Sequence, residues 1–218
     1  MTYIFQPERF LLVEQIKTFS HYIKGDVLDV GAGHYDRYKK FFSVGVSKYI
    51  KMDIAHRENV DLVGSADSIP LPDASVDSIV CTQVLEHVKY PEKCIREAYR
   101  VLKTGGFALY TAPQMNELHE IPYDFFRYTK YGLISMFEES GFKIIECSQR
   151  GGFFSTLTQM IIRYTTDKLN LYSSKVLGRI FGKFAWLLGK LAIWLDKRDT
   201  SRANHVHAIG WCIVVKKI

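Results

Sequence analysis

A short apolar run that ends in two glycines is the feature of this sequence with the clearest chemistry. Val27–Gly33 reads as a strand followed by a tight turn, and a second run, Tyr49–Met52, leads directly to Asp53. Glycines allow a backbone to approach a ligand closely, and a carboxylate at the tip of the next strand can accept hydrogen bonds from ribose hydroxyls. The pattern therefore predicts a nucleoside pocket.

The residue at position 36 separates two classes of nucleoside ligand. A dinucleotide site of the GxGxxG type would have its third glycine there, where a helix packs closely over a pyrophosphate. This sequence has Asp36 instead. The pattern therefore argues against a nicotinamide oxidoreductase and favours a ligand without phosphates.

Four motifs that follow one another along residues 27–114 point to a family. They read VLDVGAGHY, MDIA, GSADSIPLPDASVDSIVCTQVLEHV and REAYRVLKTGGFALYTAP. In this order and spacing the chain resembles the class I methyltransferases that use S-adenosylmethionine (SAM), and is close to the type 11 methyltransferase domain. The usual GxGxG of that family reads Gly31-Ala32-Gly33-His34-Tyr35 here, so Tyr35 replaces its third glycine.

The resemblance implies a fold and a cofactor. The fold is α/β: a Rossmann-like sheet of seven mostly parallel strands with helices on both faces, an antiparallel last strand and a helical insertion between strands six and seven. The cofactor is SAM. The residues carried over from the motifs are Asp29, Gly31, Ala32 and Gly33 for its methionine end, Asp53 for the ribose, Ile54 and Ala66 for the adenine ring, Asp67 for the adenine amino group, and Cys81 and Gln83 at the border of the cofactor.

Methyl transfer to a hydroxyl also needs a group that accepts the proton, and the segment 119–128 offers candidates. His119 is our candidate base, and Arg127 a candidate contact for the acceptor. His87 could reach either the cofactor carboxylate or the acceptor. The alternatives are that Arg127 pairs with Asp124 and that Glu86 and His87 are solvated. We assign no residue to a metal.

Alternating apolar segments predict the elements that would position these residues. Helices are expected over Pro7–Ile23, through Tyr38–Phe42, and over Pro91–Leu102 and Lys130–Ser140, with Gly105 and Gly106 as the end of the third helix. Strands are expected at 26–30, 48–52, 60–63, 78–81, 107–111, 143–147 and 209–216. This alternation predicts a mostly parallel sheet, and strand seven beside strand six would suit an antiparallel edge. We treat residues 1–218 as one methyltransferase domain, with an N-terminal helix in 1–24.

Basic residues concentrate in the C-terminal third of the chain. Residues 151–218 hold 11 of the 29 Lys and Arg residues but only 3 of the 23 Asp and Glu residues, so we expect an anionic partner or surface there. The insertion 153–205 should contain two helices, near 155–168 and 174–195. The second is amphipathic and could lie on an anionic membrane, cover the acceptor pocket, or form a core or dimer contact. Its longest uncharged run is too short to span a bilayer.

These features together predict SAM-dependent methyl transfer to a small-molecule acceptor, a hydroxyl of a sugar or of a lipid-linked intermediate. The alternatives are a carbon methyltransferase of the quinone-biosynthesis kind, and a SAM-binding sensor or partner subunit without turnover. We expect no nucleic-acid partner, a monomer or homodimer, and a cytoplasmic protein that can contact a membrane through 174–198. The N-terminus lacks the features of a signal peptide. Four scattered cysteines are expected to be buried, reduced thiols: Cys81, Cys94, Cys147 and Cys212.

Overall fold

A computed structural model of the chain describes residues 3–33, 38–42 and 44–218. Our interpretations of His34, Tyr35 and Asp36 lie outside the described residues. The structure divides into two compact units. One comprises Gln15–Gln114, Leu118–Ser148 and Trp211–Ile218, and the other comprises Met1–Glu14, Met115–Glu117 and Gln149–Gly210.

A seven-stranded sheet forms the centre of the first unit, in the strand order β3-β2-β1-β4-β5-β7-β6. Strands β1 to β5 are parallel where their pairing is described, and β7 runs antiparallel between β5 and β6. This confirms the predicted fold, although β6 rather than β7 forms the sheet edge. The strand bounds are Gly25–Val30 (β1), Val46–Asp53 (β2), Leu62–Val63 (β3), Val76–Thr82 (β4), Leu102–Pro113 (β5), Phe142–Arg150 (β6) and Gly210–Lys217 (β7).

The central strands are long apolar runs because helices cover a parallel sheet on both faces. Val27 and Leu28 of β1 are fully buried, as are Ile79 and Val80 of β4. The side chains on the two faces of these strands therefore form the core. The residues predicted to bind the cofactor follow these strands, at the carboxyl ends of β1, β2 and β4.

Strand β5 begins earlier than the sequence predicts. Its first residue, Leu102, pairs with Val76 of β4, and the register then shifts before Ser78 pairs with Phe107. Gly105 does have a positive φ of 84°, as a helix-ending glycine would. The preceding helix nevertheless ends at Val101, and the glycines lie in an irregular part of the strand. Pairing across the sheet here overrides the local signal.

The helices otherwise follow the predicted positions within a few residues. The predicted N-terminal helix is shorter, since a single 3-10 turn replaces its end, and Lys39–Phe41 is likewise a 3-10 turn rather than part of a helix. Three cysteines are buried as expected, but Cys147 is only partly so. The α-helices are Pro7–Phe19 (α1), Pro91–Val101 (α2), Lys130–Glu139 (α3), Phe153–Lys168 (α4), Leu177–Arg198 (α5) and the unpredicted Arg202–His205 (α6).

In the second unit, α4 and α5 pack against each other. Asp196 of α5 accepts hydrogen bonds from the backbone N–H groups of Gly152, Phe154 and Ser155, at 2.8, 3.0 and 3.0 Å. These are donors that the first turn of a helix leaves without a partner inside the helix. Asp196 therefore caps α4 from a neighbouring helix. Among the described residues, neither these helices nor the others have the length and apolar character that crossing a membrane requires.

Candidate functional site

The turn after β1 has the backbone that its glycines predict. Gly31 and Gly33 have φ values of 71° and 64°, in the left-handed region that favours glycine. A side chain on Gly31 would overlap Val84, whereas no described residue comes within 4 Å of a side chain placed on Gly33. The N–H groups of Gly31 and Ala32 both donate to the carbonyl of Met52, at 2.8 and 3.0 Å. These two hydrogen bonds hold the turn against the end of β2.

Asp53 at the end of β2 completes this turn. One carboxylate oxygen accepts from the Gly33 N–H at 3.0 Å, and the other accepts from the Ala55 N–H at 3.0 Å. The Nε atom of Arg57 lies 3.7 Å from Asp53 Oδ1. A carboxylate offers about four acceptor positions, so Asp53 can bind further donors while the backbone fixes its orientation. This geometry suits the pair of hydroxyls on a ribose.

A cavity of about 650 Å³ lies beside the turn, within the first unit. Its volume is in the range of sites for small molecules and cofactors. Ile54 is 76% exposed, which leaves its side chain available to pack on a ring. The lining includes six of the residues predicted from the sequence: Gly31, Asp53, Ile54, Ala66, Gln83 and His87.

Three other predicted cofactor residues have different surroundings. Asp29 is buried and accepts from the Tyr49 hydroxyl at 2.8 Å. The Asp67 carboxylate accepts from the hydroxyl of Ser65, a local contact between residues two positions apart. Cys81 is buried in β4, and burial raises the pKa of its thiol well above the ordinary value. A direct contact of these side chains with a cofactor stays a prediction.

Gln83 carries the strain that functional loops often show. It has a φ of 54°, which is uncommon for a residue other than glycine. Its backbone N–H donates to the carbonyl of Thr111 at 3.0 Å, and its side-chain amide donates to the Thr111 hydroxyl at 3.3 Å. Strand β5 therefore holds Gln83 at the cavity wall.

Arg127 and Asp124 form a two-pronged ion pair. The guanidinium donates to both carboxylate oxygens, at 2.6 and 2.7 Å, and the Asp124 side chain is only 1% exposed. Arg127 lowers the pKa of Asp124 to about 2. The structure thus shows the ion pair that was the alternative for Arg127, and its contact with an acceptor stays a prediction.

The two predicted catalytic histidines meet. The rings of His87 and His119 lie edge to face with centroids 4.8 Å apart. His87 Nδ1 is 2.6 Å from the carbonyl oxygen of Tyr123, and His119 Nδ1 is 3.4 Å from the Asp124 carboxylate. Glu86, which could have been solvated, is fully buried next to His87. Sequence reasoning missed Tyr123 and Asp124 as the groups that orient the rings, although Asp124 follows His119 by five residues.

Comparison with known proteins places this site in a family. Residues 28–110 match the model of a methyltransferase domain. Residues 28–110 are thus similar to a class I, SAM-dependent methyltransferase domain. The resemblance drawn from the motifs is thereby confirmed, and SAM is the cofactor that the family uses.

Two relatives show how far the likeness in sequence extends. The chain is 34% identical over 106 residues to an uncharacterised methyltransferase, YcgJ, of Bacillus subtilis. The match covers 42% of this chain and 42% of YcgJ. It is 39% identical over 64 residues to a ubiquinone/menaquinone biosynthesis C-methyltransferase of Brucella anthropi, which covers 29% of this chain and 24% of the relative. The matched part of the chain thus spans less than half the length of these relatives.

Solved structures share the fold of the methyltransferase domain and extend beyond it. The YcgJ crystal structure has a TM-score of 0.52, with 20% identity, and the match covers 95% of this chain and 96% of YcgJ. The [4+2]-cyclase SpnF has a TM-score of 0.62 at 19% identity, covering 94% of this chain and 80% of the cyclase. Since a cyclase shares the fold, the fold of a methyltransferase domain does not by itself specify the reaction.

Proposed function

We propose that this chain transfers the methyl group of SAM to a hydroxyl of a small-molecule acceptor, a sugar or a lipid-linked intermediate. The observation that carries the proposal is the composition of the cavity wall. The same cavity is lined by the Gly31 turn and Asp53, which suit the cofactor, and by His87 and Tyr123, which suit an acceptor. A donor and an acceptor could therefore meet inside one unit of the molecule.

The chemistry asks little of the protein beyond alignment. SAM supplies a methyl group that is already activated as a sulfonium. The acceptor oxygen attacks that carbon as the carbon–sulfur bond breaks, so holding the two reactants in line contributes about 7–11 kcal/mol. A hydroxyl must also lose its proton. His87 or His119 would accept it, since each ring is oriented through Nδ1 by an oxygen at 2.6 or 3.4 Å.

Two alternatives follow from the relatives. The match to a quinone-biosynthesis C-methyltransferase supports transfer to carbon, and product analysis would separate carbon from oxygen methylation. The fold shared with a [4+2]-cyclase supports a SAM-binding protein that does not transfer methyl groups. Release of S-adenosylhomocysteine in the presence of an acceptor would rule out that alternative.

Asp53 offers the direct test of the cofactor site. Asp53→Ala should weaken SAM binding, measured by calorimetry, by at least about 1.5 kcal/mol, because hydrogen bonds to a charged group are worth about that much. Since Asp53 also binds backbone N–H groups, Asp53→Asn should be measured beside it, with thermal unfolding as a check of folding. The matched control is Asp73→Ala, whose side chain is 78% exposed. Unchanged SAM affinity in both Asp53 variants would remove the site assignment.

We also propose that the second unit contacts an anionic membrane surface. Large apolar side chains are exposed on α4 and α5 at helical spacing, and we call these residues the outer stripe: Leu157, Met160, Ile161, Tyr164, Ile180, Phe184, Leu187, Leu191 and Trp194. Exposed apolar surface of this kind marks an interaction site. Lys175, Arg179 and Lys183 lie on or beside α5, so the surface combines apolar and positive groups, which favours anionic lipid over a second copy of the chain.

Sedimentation with vesicles tests the membrane proposal. The chain should pellet with vesicles rich in phosphatidylglycerol and stay in solution with phosphatidylcholine alone. Replacing Phe184, Leu187 and Leu191 together by Ser should abolish pelleting. Tyr131→Ser is the matched control, because Tyr131 is 77% exposed on α3, outside the outer stripe. The proposal would be overturned if the unaltered chain did not bind anionic vesicles and instead formed a concentration-dependent dimer in sedimentation velocity. The outer stripe would then be the contact with a second copy of the chain.

A further inference from the structure

Three side chains with metal-binding atoms come together where two loops meet. Glu86 and His87 lie in the 3-10 turn Leu85–His87 that follows β4, and His119 lies in the loop after β5. One carboxylate oxygen of Glu86 and one nitrogen of each ring all lie within 4.8 Å of one another. The sequence motifs suggest both histidines for the acceptor site, but their spacing does not predict a cluster with Glu86, because His119 follows His87 by 32 positions.

In both rings, Nδ1 already has a partner that determines which ring nitrogen carries the hydrogen. A carbonyl oxygen only accepts hydrogen bonds, so His87 Nδ1, at 2.6 Å from the Tyr123 carbonyl, must carry the hydrogen. His119 Nδ1 lies 3.4 Å from the Asp124 carboxylate, which favours the same protonation. In both rings this leaves Nε2 with a lone pair. Metal-ligating histidines are usually oriented in this way by a carboxylate or a backbone carbonyl.

The supporting groups are themselves held firmly. Asp124 accepts from both ends of the Arg127 guanidinium and from the backbone N–H of His119, at 2.6, 2.7 and 2.9 Å. This network holds the Asp124 carboxylate in place beside the His119 ring.

We propose that Glu86, His87 and His119 bind a divalent transition metal through one carboxylate oxygen and two Nε2 atoms. Two nitrogens and one oxygen suit Zn²⁺, Mn²⁺, Co²⁺ or Fe²⁺, whereas Mg²⁺ and Ca²⁺ prefer oxygen ligands alone. With bonds of about 2.1 Å, ligand atoms around one ion lie roughly 3.4 Å apart. Rotation of the rings and the carboxylate would bring the three ligand atoms from within 4.8 Å of one another to this spacing.

The position of the cluster suggests its role, and this role rests on the proposed function. His87 lines the same cavity as Asp53. Three protein ligands leave coordination positions open for an acceptor, and a metal lowers the pKa of a bound hydroxyl. With both Nε2 atoms bound to the metal, the proton would leave to water rather than to His87 or His119. The oxygen would form its bond to the methyl carbon as the carbon–sulfur bond breaks and a neutral thioether departs. The acceptor class would be a compound with two neighbouring oxygens, such as a vicinal diol.

Cobalt provides the test, because its visible absorption reports coordination by protein ligands. The purified chain, stripped with a chelator, should bind one equivalent of Co²⁺ and show absorption bands that Zn²⁺ abolishes. His119→Ala and Glu86→Gln should each weaken Co²⁺ binding at least about tenfold. Asp124→Asn should weaken it about 10- to 100-fold through the orientation of His119. His56→Ala is the matched control, because His56 is exposed outside the cluster, and its binding should be unchanged.

The outcomes separate this inference from the proposed function. SAM binding should be measured by calorimetry on the same metal-free samples. A chain that binds SAM but shows no stoichiometric Co²⁺ binding would overturn the metal site and leave the methyltransferase proposal standing. Co²⁺ binding that survives both His119→Ala and Glu86→Gln would overturn the ligand assignment. Co²⁺ binding by a chain that does not bind SAM would support the metal site and remove its role in methyl transfer.

Discussion

Helices α2 and α5 use their apolar faces in opposite ways. In α2, within the methyltransferase domain, the apolar residues Cys94, Ile95, Ala98 and Val101 are buried. In α5, within the second unit, the buried face contains mostly small residues, among them Gly178, Ala185, Gly189 and Ala192. Most of the large apolar residues of α5 are left at the surface: Ile180, Phe184, Leu187, Leu191 and Trp194 are each 49–63% exposed.

This difference shows that an apolar helix face has two uses. A side chain on Gly189 would overlap the ring of Phe5, so glycine is what allows α5 to pack this closely. Burial of small residues leaves the larger ones free to meet something else. The face of α2 contributes to the stability of the sheet, whereas we interpret the face of α5 as a binding surface. Periodicity alone cannot separate these uses, because both helices show the same spacing of apolar residues.

Truncating one apolar side chain on each of these two helices should give the largest effect that tests this comparison. Ile95→Ala should lower the free energy of unfolding by about 2–5 kcal/mol, because Ile95 is fully buried and its loss leaves a cavity. Leu187→Ala should change it by no more than about 0.5 kcal/mol, since Leu187 is 62% exposed. Urea unfolding of both variants measures the two values. Equal losses of stability would show that the α5 face is part of a core.

Ionisable groups offer a second, smaller contrast. Arg127 lowers the pKa of Asp124 to about 2, whereas the pKa of an Asp in the unfolded chain is about 4. The ion pair therefore contributes its full stability at pH values above about 4. That stability is lost as the pH falls towards about 2. The difference between the unaltered chain and Arg127→Ala should therefore be on the order of 2 kcal/mol at pH 7 and shrink as the pH approaches 2. Urea unfolding across this range measures it.

A surface carboxylate in the second unit is the control for this pH dependence. The pKa of Asp199 is also lowered, by hydrogen bonds from Ser201, but that carboxylate is partly exposed and lies just after α5. Asp199→Asn should leave most of the acid sensitivity of the chain in place. A pH profile that flattens in Asp199→Asn and persists in Arg127→Ala would show that the acid sensitivity does not come from the Asp124–Arg127 pair of the first unit.

The sequence predicts the parts of the structure that local rules control. Strands β1 and β4 are apolar runs between turn residues, and the turn at Gly31 with Asp53 follows from glycine geometry. The predicted start of β5 is wrong, because the pairing of Leu102 with Val76 overrides the tendency of Gly105 and Gly106 to end a helix. The meeting of His87 with His119 depends on how two loops pack, which spacing along the chain does not report.

The smallest effect tests how α5 is attached. Asp196 accepts hydrogen bonds from three backbone N–H groups at the start of α4. Asp196→Ala should therefore lower the free energy of unfolding by about 1–2 kcal/mol, the usual cost of losing a helix cap. Asp196→Asn keeps an acceptor oxygen and should lose less. If the small-residue face and this cap hold α5 in place, vesicle binding by the outer stripe should persist in Asp196→Asn and weaken in Asp196→Ala. Equal vesicle binding by both variants, despite a measured loss of stability in Asp196→Ala, would show that the surface does not depend on this attachment.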